Sequence, residues 1–546
     1  MTDFRKPTRQ NETLQNFGSS LQTARKSVRV MAAVMLLAPL PFAQGDWPMW
    51  GHDETRNMTS EETGLPGTFA AGEFVGVSDE IDLSTAINVK WLVKLGSQSY
   101  GNATVSNGRV YVGTNNDSPR DPRFKGDRCT VYCLDEATGD FIWQLNVPKL
   151  GTGKVSDWEY LGMCSSPSVE GDRVYLVTNR CEVICLDVNG LADGNDGPYQ
   201  DEAQYQAGPG KEPIALAGTD ADIIWMLNMI DECGVFPHNI TTSSVLIAGD
   251  NLWVTTSNGV DYGHVETPAP NAPSLIMVDK VSGKLIAEED SGLSSRIFHS
   301  NWSSPAYLRT PDTELCIFGG PDGVLYAFSP KTSMSEKGWA VFEEAWQYDC
   351  NPPEYRMKDG VPITYTKRLG PSEILGTPST DGGRVYAVIG QDPEHGEGIG
   401  NLTCMDAKGK ELWSYRKINR SMSSLAIADG MVFAADYSGF IYCLDADTGQ
   451  EHWIHDTKGH IWASPLVADG KLYLGNEDGF MTIVPASKTY DEKDVVEVDM
   501  ISPIYSSAIA ANGVVYVATH THLFALAKDG EPKQGEASPG SPQKEN

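Results

Sequence analysis

Positive charge is scarce in this 546-residue chain: 42 Lys and Arg stand against 73 Asp and Glu, a formal net charge of −31. A surface this acidic repels a phosphate backbone, which disfavours nucleic acid as a partner and favours solubility and cationic or metal partners. Long apolar runs are missing too. Val30 to Leu40 is the one candidate, and it is too short, and too interrupted by Pro39, to span a bilayer. No long amphipathic helical pattern is present, which argues against a two-domain α/β chain. No Cys-x-x-Cys-His occurs, so covalent haem attachment is excluded.

The N-terminus reads as an export signal. Arg25, Lys26 and Arg29 precede the apolar run, and Ala43-Gln44-Gly45 has the small-x-small form of a cleavage site. The mature chain is expected to begin at Asp46, in the periplasm or outside the cell, with no transmembrane segment after signal removal. No Cys follows the apolar run, so a lipid anchor is not expected.

What the chain does have is a phrase that returns. A small-residue stretch leads to a turn and then an apolar strand, as in Ser165-Ser166-Pro167 before Val174-Tyr175-Leu176 and Ser464-Pro465 before Leu472-Tyr473-Leu474. The apolar strands are anchored at Val110, Val174, Leu252, Leu315, Val385, Val432, Leu472 and Val515; by subtraction, the last four are 47, 40 and 43 residues apart. That interval suits a four-stranded propeller blade. Around Val432 the four strands are predicted at Met422 to Ala428, Met431 to Ala435, Phe440 to Leu444 and Glu451 to His455. Asp429-Gly430 supplies the tight hairpin between the first two.

A tryptophan recurs on the fourth strand as Trp143, Trp225, Trp346, Trp413 and Trp453, with Ile286 and Val496 expected at its place in two copies. Its ring buries a large apolar area and its N–H can reach a carbonyl of the next blade. The last copy ends near Leu526 without a fourth strand, and Asn88 to Val93, carrying Trp91, supplies the spare. The expected fold is all-β, an eight-bladed β-propeller of four-stranded antiparallel blades. An N-terminal strand completes the last blade and leaves no open edge. The chain then divides into a signal (1–45), an N-terminal extension (46–87), the propeller (88–527) and a disordered tail (528–546).

Ten cysteines in an exported chain raise the question of disulfides. Cys133, Cys185, Cys404 and Cys443 share one repeat position on the third strand and read as buried packing residues. Cys129 with Cys133, and Cys181 with Cys185, are four apart on one strand, roughly 13 Å, too far to bridge. Pairing among Cys129, Cys164, Cys181, Cys233 and Cys350 stays open.

Function should lie where the repeat is broken. Three loops between second and third strands are long (Thr114 to Arg128, Ser257 to Ser274, Gly390 to Gly400), as are two links between blades (Pro148 to Gly162, Cys350 to Leu375). All five are expected on one face, the candidate surface for a protein partner or a small molecule. Tyr100, Met163, His238, Asn239, His299, Asn301, Trp302, Arg420, His460, Trp462 and Tyr505 enter the innermost strands at a shared phase. They are expected to converge on a central funnel on that face, as ligand-binding residues or as a structural plug. Asp392, Glu394 and His395 offer cation ligands in the third loop, with His264 of the second loop a neighbour. On the opposite face, the insertion Asp187 to Asp222 offers Asp187, Asn189, Asp193 and Asn195 to Ca²⁺, without the full EF-hand spacing.

Leu134-Asp135-Glu136-Ala137-Thr138-Gly139 with Trp143, and Leu444-Asp445-Ala446-Asp447-Thr448-Gly449 with Trp453, resemble the pyrroloquinoline-quinone-like (PQQ-like) repeat family. Asp406-Ala407-Lys408-Gly409 with Trp413 is a shortened version, and Asp279 to Gly283 lacks the Trp. Asp46-Trp47-Pro48-Met49-Trp50-Gly51 resembles the opening of exported members. The resemblance covers residues 46 to 527 and implies the propeller. It also implies two functions, because the family holds quinone-dependent dehydrogenases and non-catalytic scaffolds, including an outer-membrane assembly scaffold. A dehydrogenase needs a floor for PQQ, Ca²⁺ held by carboxylate and amide side chains, and an Asp base; many members add two adjacent cysteines. This chain has no Cys-Cys dipeptide, and no catalytic residue can be matched. The reading is therefore an exported, non-catalytic binding or interaction scaffold. The alternative is a PQQ-dependent dehydrogenase with the cofactor, and Ca²⁺, in the funnel.

Overall fold

Two-residue turns set the architecture. In the computed structural model, which describes residues 45–362, 372–390 and 398–535, Asn107-Gly108, Asp429-Gly430, Asp469-Gly470 and Asn512-Gly513 all hold both residues at positive φ. That is the hairpin geometry whose twist matches the flanking strands. Each turn joins a short innermost strand to the apolar second strand, and two further strands complete an antiparallel meander. In the copy around Val432 the strands are Ala426–Ala428, Met431–Ala435, Phe440–Asp445 and Glu451–Asp456. The first is shorter than predicted, because the chain before Ala426 runs as irregular funnel wall.

The meander recurs over residues 104–148, 168–228, 246–288, 306–349, 379–415, 426–456 and 466–499. The third and fourth are joined by one parallel bridge, Glu288 to Val341. The last meander contributes Ile509–Ala511, Val514–Ala518 and His522–Leu526. Beside His522–Leu526 lies Val89–Lys94, antiparallel, with Trp91 opposite Ala525. The described helices are short, Glu202–Ala207 and Met229–Cys233 being the α-helices.

The recurring tryptophans hold successive sheets together. Each indole N–H donates to a carbonyl of the following sheet: Trp91 to Glu136 at 2.9 Å, Trp143 to Val188 at 2.8 Å, Trp225 to Lys280 at 3.3 Å, Trp346 to Ala407 at 3.1 Å, Trp413 to Ala446 at 3.0 Å and Trp453 to Ser487 at 2.8 Å. The glycine closing the next Asp-x-x-x-Gly turn lies flat on the same ring. A Cβ on Gly449 would sit 2.5 Å from Trp413, and one on Gly139 2.8 Å from Trp91. The Asp caps that turn, as Asp445 does by accepting from Thr448 N and Oγ1. The Asp, Gly and Trp of the repeat are thus one interlocking device. In the third meander Ala287, not Ile286, takes the Trp position opposite Met277: it stands eight residues after Asp279, as Trp143 does after Asp135 and Trp453 after Asp445, and the same bulge flanks the position in those sheets. Val496 does take it, opposite Ile483.

The extension does something the repeat does not announce. Its first residues thread past the innermost strand of every meander in turn. Trp47 pairs with Val105, Pro48 O accepts from Val169 N, and Arg56 reaches the carbonyls of Ser244 and Val245. Glu54 O accepts from Tyr307 N, Thr55 O from Thr380 N, and Met58 N donates to Leu425 O. Thr59 and Ser60 then pair with Val467 and Ala468, and Ser60 Oγ donates to Ala510 O. Arg56 is fully buried and also donates to Pro305 O at 2.9 Å and to Trp50 O.

Two other segments depart from expectation. The insertion 187–222 does not stay on one face. It runs along the outermost strand Phe141–Pro148, where Gln144 bonds Thr219 and Ala221, and Arg123 of the opposite loop pairs with Asp220. It thereby covers an edge. The chain expected to be disordered from Lys528 stays structured to Gly535, with Lys533–Gln534 parallel to Trp91 and Leu92. The ten cysteines, all among the described residues, form no disulfide with one another, and Cys133, Cys185, Cys404 and Cys443 are buried as expected.

Candidate functional site

Residues entering the innermost strands line a cavity of about 560 Å³. Trp302, Trp462, Tyr100 and Tyr505 form its aromatic wall, with Asn239 and His299 among them, and Trp50 of the extension also lines it. Trp462 stacks on Tyr505 with centroids 4.8 Å apart at 17°. Its N–H donates to Glu477 at 2.9 Å, and the Trp302 N–H donates to Ile240 O at 3.2 Å. Both indoles are therefore held in place before any ligand arrives. Burial raises the Tyr100 phenol well above its ordinary value, raises that of Tyr505 to about 12 with help from Glu477, and pushes the Cys164 thiol up to about 12. At neutral pH these three groups are uncharged, so Cys164 is no thiolate nucleophile.

The long link Pro148 to Gly162 adds Trp158, Glu159 and Leu161 to the lining, and the Trp158 N–H of the backbone donates to Asn239 O at 2.6 Å. These three, and Trp50, are missed by reasoning from repeat phase, since they lie outside the repeat. The signal for Trp158 was its place in an unusually long link on the decorated face.

Of the other residues expected at the funnel, His238 and Asn301 are buried behind the wall, each 1% exposed. Arg420 is buried, and its carbonyl accepts from Tyr437 N. His460 stacks on Tyr437 at 4.3 Å and bonds its carbonyl, apart from the cavity lining. His238 and His299 meet each other, their Nε2 atoms 2.9 Å apart, and the loop residue His264 joins them.

The insertion oxygens are engaged by protein groups. Asp187 pairs with Arg173 at 2.9 Å and accepts from Asn189 N; Asn189 accepts from Arg109 at 2.6 Å and donates to Asp193 at 2.8 Å. Asn195 turns away to Glu202 and Gln200. Asp392, Glu394 and His395 lie outside the described residues.

A family model described as outer membrane protein assembly factor BamB matches residues 50–296 and 398–531. No curated protein matches the chain. Among solved structures, a europium-containing methanol dehydrogenase is similar at 13% identity and a TM-score of 0.53, over 87% of this chain and 90% of that one. BamB from Moraxella catarrhalis is similar at 13% identity and 0.47, over 80% and 96%. The computationally designed Ika8 protein gives 12% and 0.46, over 80% and 98%. At 13% identity the likeness to the methanol dehydrogenase carries the fold alone.

Proposed function

We propose, from the premise that this chain belongs to the BamB-described family of PQQ-like β-propellers, that it is an exported, non-catalytic binding scaffold. In this reading eight blades form one ring, closed where Val89–Lys94 completes the last blade, and the first part of the extension, which threads past the innermost strands and brings Trp50 to the cavity, is the funnel's floor. The observation that carries the reading is the funnel: a preformed aromatic concavity in a strongly acidic protein. Aromatic faces and a negative field both attract a cationic or aromatic group. The funnel is therefore read as the pocket that captures such a group from a small molecule or a protein partner.

The PQQ alternative is tested by the lining itself. PQQ is a flat tricarboxylate, and its carboxylates need cationic partners. Among the described lining residues there is no Lys or Arg, and Glu159 is the one carboxylate. A tricarboxylate and its Ca²⁺ do not fit that set, and no step is derived through them.

Two measurements test the proposal. Given Ca²⁺ and PQQ, the purified chain should show neither stoichiometric quinone absorbance nor dye-linked alcohol oxidation; both together would overturn the scaffold reading. Benzyltrimethylammonium, which is cationic and aromatic, should quench tryptophan fluorescence saturably. Trp302→Ala with Trp462→Ala should abolish the effect, and quenching that persists in the double variant places the pocket elsewhere.

A further inference from the structure

Three of the chain's ten histidines meet at one point beside the funnel. His238 precedes the third meander, His264 lies in the loop between Asn251–Thr255 and Leu275–Asp279, and His299 precedes the fourth. One ring nitrogen from each lies within 4.8 Å of the others. Their ring centroids are 5.0 Å (His238–His264), 4.7 Å (His238–His299) and 4.5 Å (His264–His299) apart.

Hydrogen bonding fixes how the rings are presented. His238 Nδ1 lies 2.7 Å from Val260 O. A carbonyl only accepts, so Nδ1 carries the proton and Nε2 presents its lone pair to the cluster. His299 turns its Nδ1 towards Glu373 Oε1 at 3.9 Å and its Nε2 towards His238. A carboxylate behind an imidazole is the usual support of a metal-bound histidine.

The backbone holds the pair rigidly. Val260 N donates to His299 O at 2.9 Å, His238 N to Ser257 O at 3.1 Å, and Gly259 N to Phe236 O at 3.0 Å. Gly259 is the cradle, since a Cβ there would lie 2.4 Å from His238 Cβ and 2.7 Å from His299 O. His264 is brought in by a turn closed on Asp261, which accepts from the backbone of Val265 and Glu266.

We propose that His238, His264 and His299 bind a first-row transition-metal dication of the Zn²⁺ class. The donor set is all nitrogen, which suits Zn²⁺, Co²⁺ or Cu²⁺ and not the oxygen-seeking Ca²⁺ or Mg²⁺. Among the described residues three His ligands come together, one fewer than tetrahedral coordination takes. His299 also lines the funnel, so water or a funnel ligand is placed to supply the fourth ligand. Tetrahedral Zn²⁺ with bonds of about 2.0–2.1 Å needs ligand nitrogens about 3.3 Å apart. The 2.9 Å between the His238 and His299 nitrogens needs to open by a few tenths of an ångström, and the widest spacing in the cluster, up to 4.8 Å, needs to close by up to about 1.5 Å, a movement assigned to the partly exposed His264 loop.

The test uses tag-free full-length protein stripped with a chelator. Calorimetric titration with Zn²⁺ should show one tight equivalent, and Co²⁺ should give the visible absorption of a low-coordinate nitrogen site. His264→Ala, in a partly exposed loop, should weaken Zn²⁺ at least tenfold and remove the Co²⁺ band, with its melting temperature in chelator unchanged. His299→Asn should do the same to the metal signals. Absence of a tight equivalent in the wild-type protein overturns the proposal. So does binding that both variants retain, because it places the ion on the acidic surface.

Discussion

Two glycines of one sheet separate backbone strain from packing. Gly430 has φ +72° and Gly449 φ +69°, so an alanine at either must adopt the left-handed conformation, at about 1–2 kcal/mol. Their surroundings differ. Nothing lies within 4 Å of a Cβ built on Gly430, whereas one on Gly449 meets Trp413 Cε3 at 2.5 Å and Cδ2 at 2.7 Å. Trp413 cannot retreat freely, because its N–H is fixed to Ala446 O at 3.0 Å and its other face is packed. Overpacking of this kind costs about 1–3 kcal/mol more. Gly449→Ala should therefore lose about 2–5 kcal/mol and Gly430→Ala about 1–2 kcal/mol. Denaturant unfolding of both variants, followed by tryptophan fluorescence and circular dichroism, measures the difference. Equal losses would refute the claim that the turn glycine exists to accept the tryptophan of the preceding sheet.

Three further outcomes are expected. Trp91→Phe removes the N–H that reaches Glu136 O. It should cost about 1–3 kcal/mol and speed hydrogen exchange in His522–Leu526 more than in Phe440–Asp445; uniform exchange would contradict a closing role for this strand. Arg56→Leu takes the guanidinium donor from the buried carbonyls of Trp50, Ser244, Val245 and Pro305, of which Val245 keeps the Ser168 hydroxyl. It should destabilise by about 3 kcal/mol or more, and a neutral result in thermal denaturation would refute a structural role for the threaded N-terminal extension. Burial, with Lys94 beside it, holds the His522 imidazole down at about 4 against an ordinary 6.5. The unfolded chain then takes up a proton that the folded chain refuses, so this group's contribution is full above 6.5 and is lost as pH falls towards 4. His522→Gln should flatten the stability slope in that window by up to about 1.4 kcal/mol per pH unit. An unchanged slope in denaturant titrations across the window would exclude His522 as the source.

The meander was legible in the sequence because its determinants are local. Gly430 and Gly513 mark hairpins by their φ, and Asp445 caps the turn three residues on. Trp453 falls where the fourth strand crosses the next sheet. The long link that carries Trp158 was legible as an interruption of the repeat. Trp158 itself was not, because nothing local says which residue of a link turns inward. The misplacement of Ile286 for Ala287 is of another kind: the spacing of eight residues from Asp135 to Trp143 and from Asp445 to Trp453 leads from Asp279 to Ala287, and the bulge beside it recurs in the other sheets; a one-residue slip changes the face.

Sequence by itself determined the all-β class, the second strand of each meander and the full strand set of the one around Val432, the pairing of Trp with Asp-x-x-x-Gly and the acidic character of the chain. All of these rest on residues within about 40 positions of one another or on composition. Only the tertiary structure decided that residues 45–62 thread past every innermost strand, that the insertion 187–222 covers an edge, and that His264 joins His238 and His299. Those contacts link segments whose spacing follows no period, and they form only once the stacked sheets have fixed where each loop begins and ends.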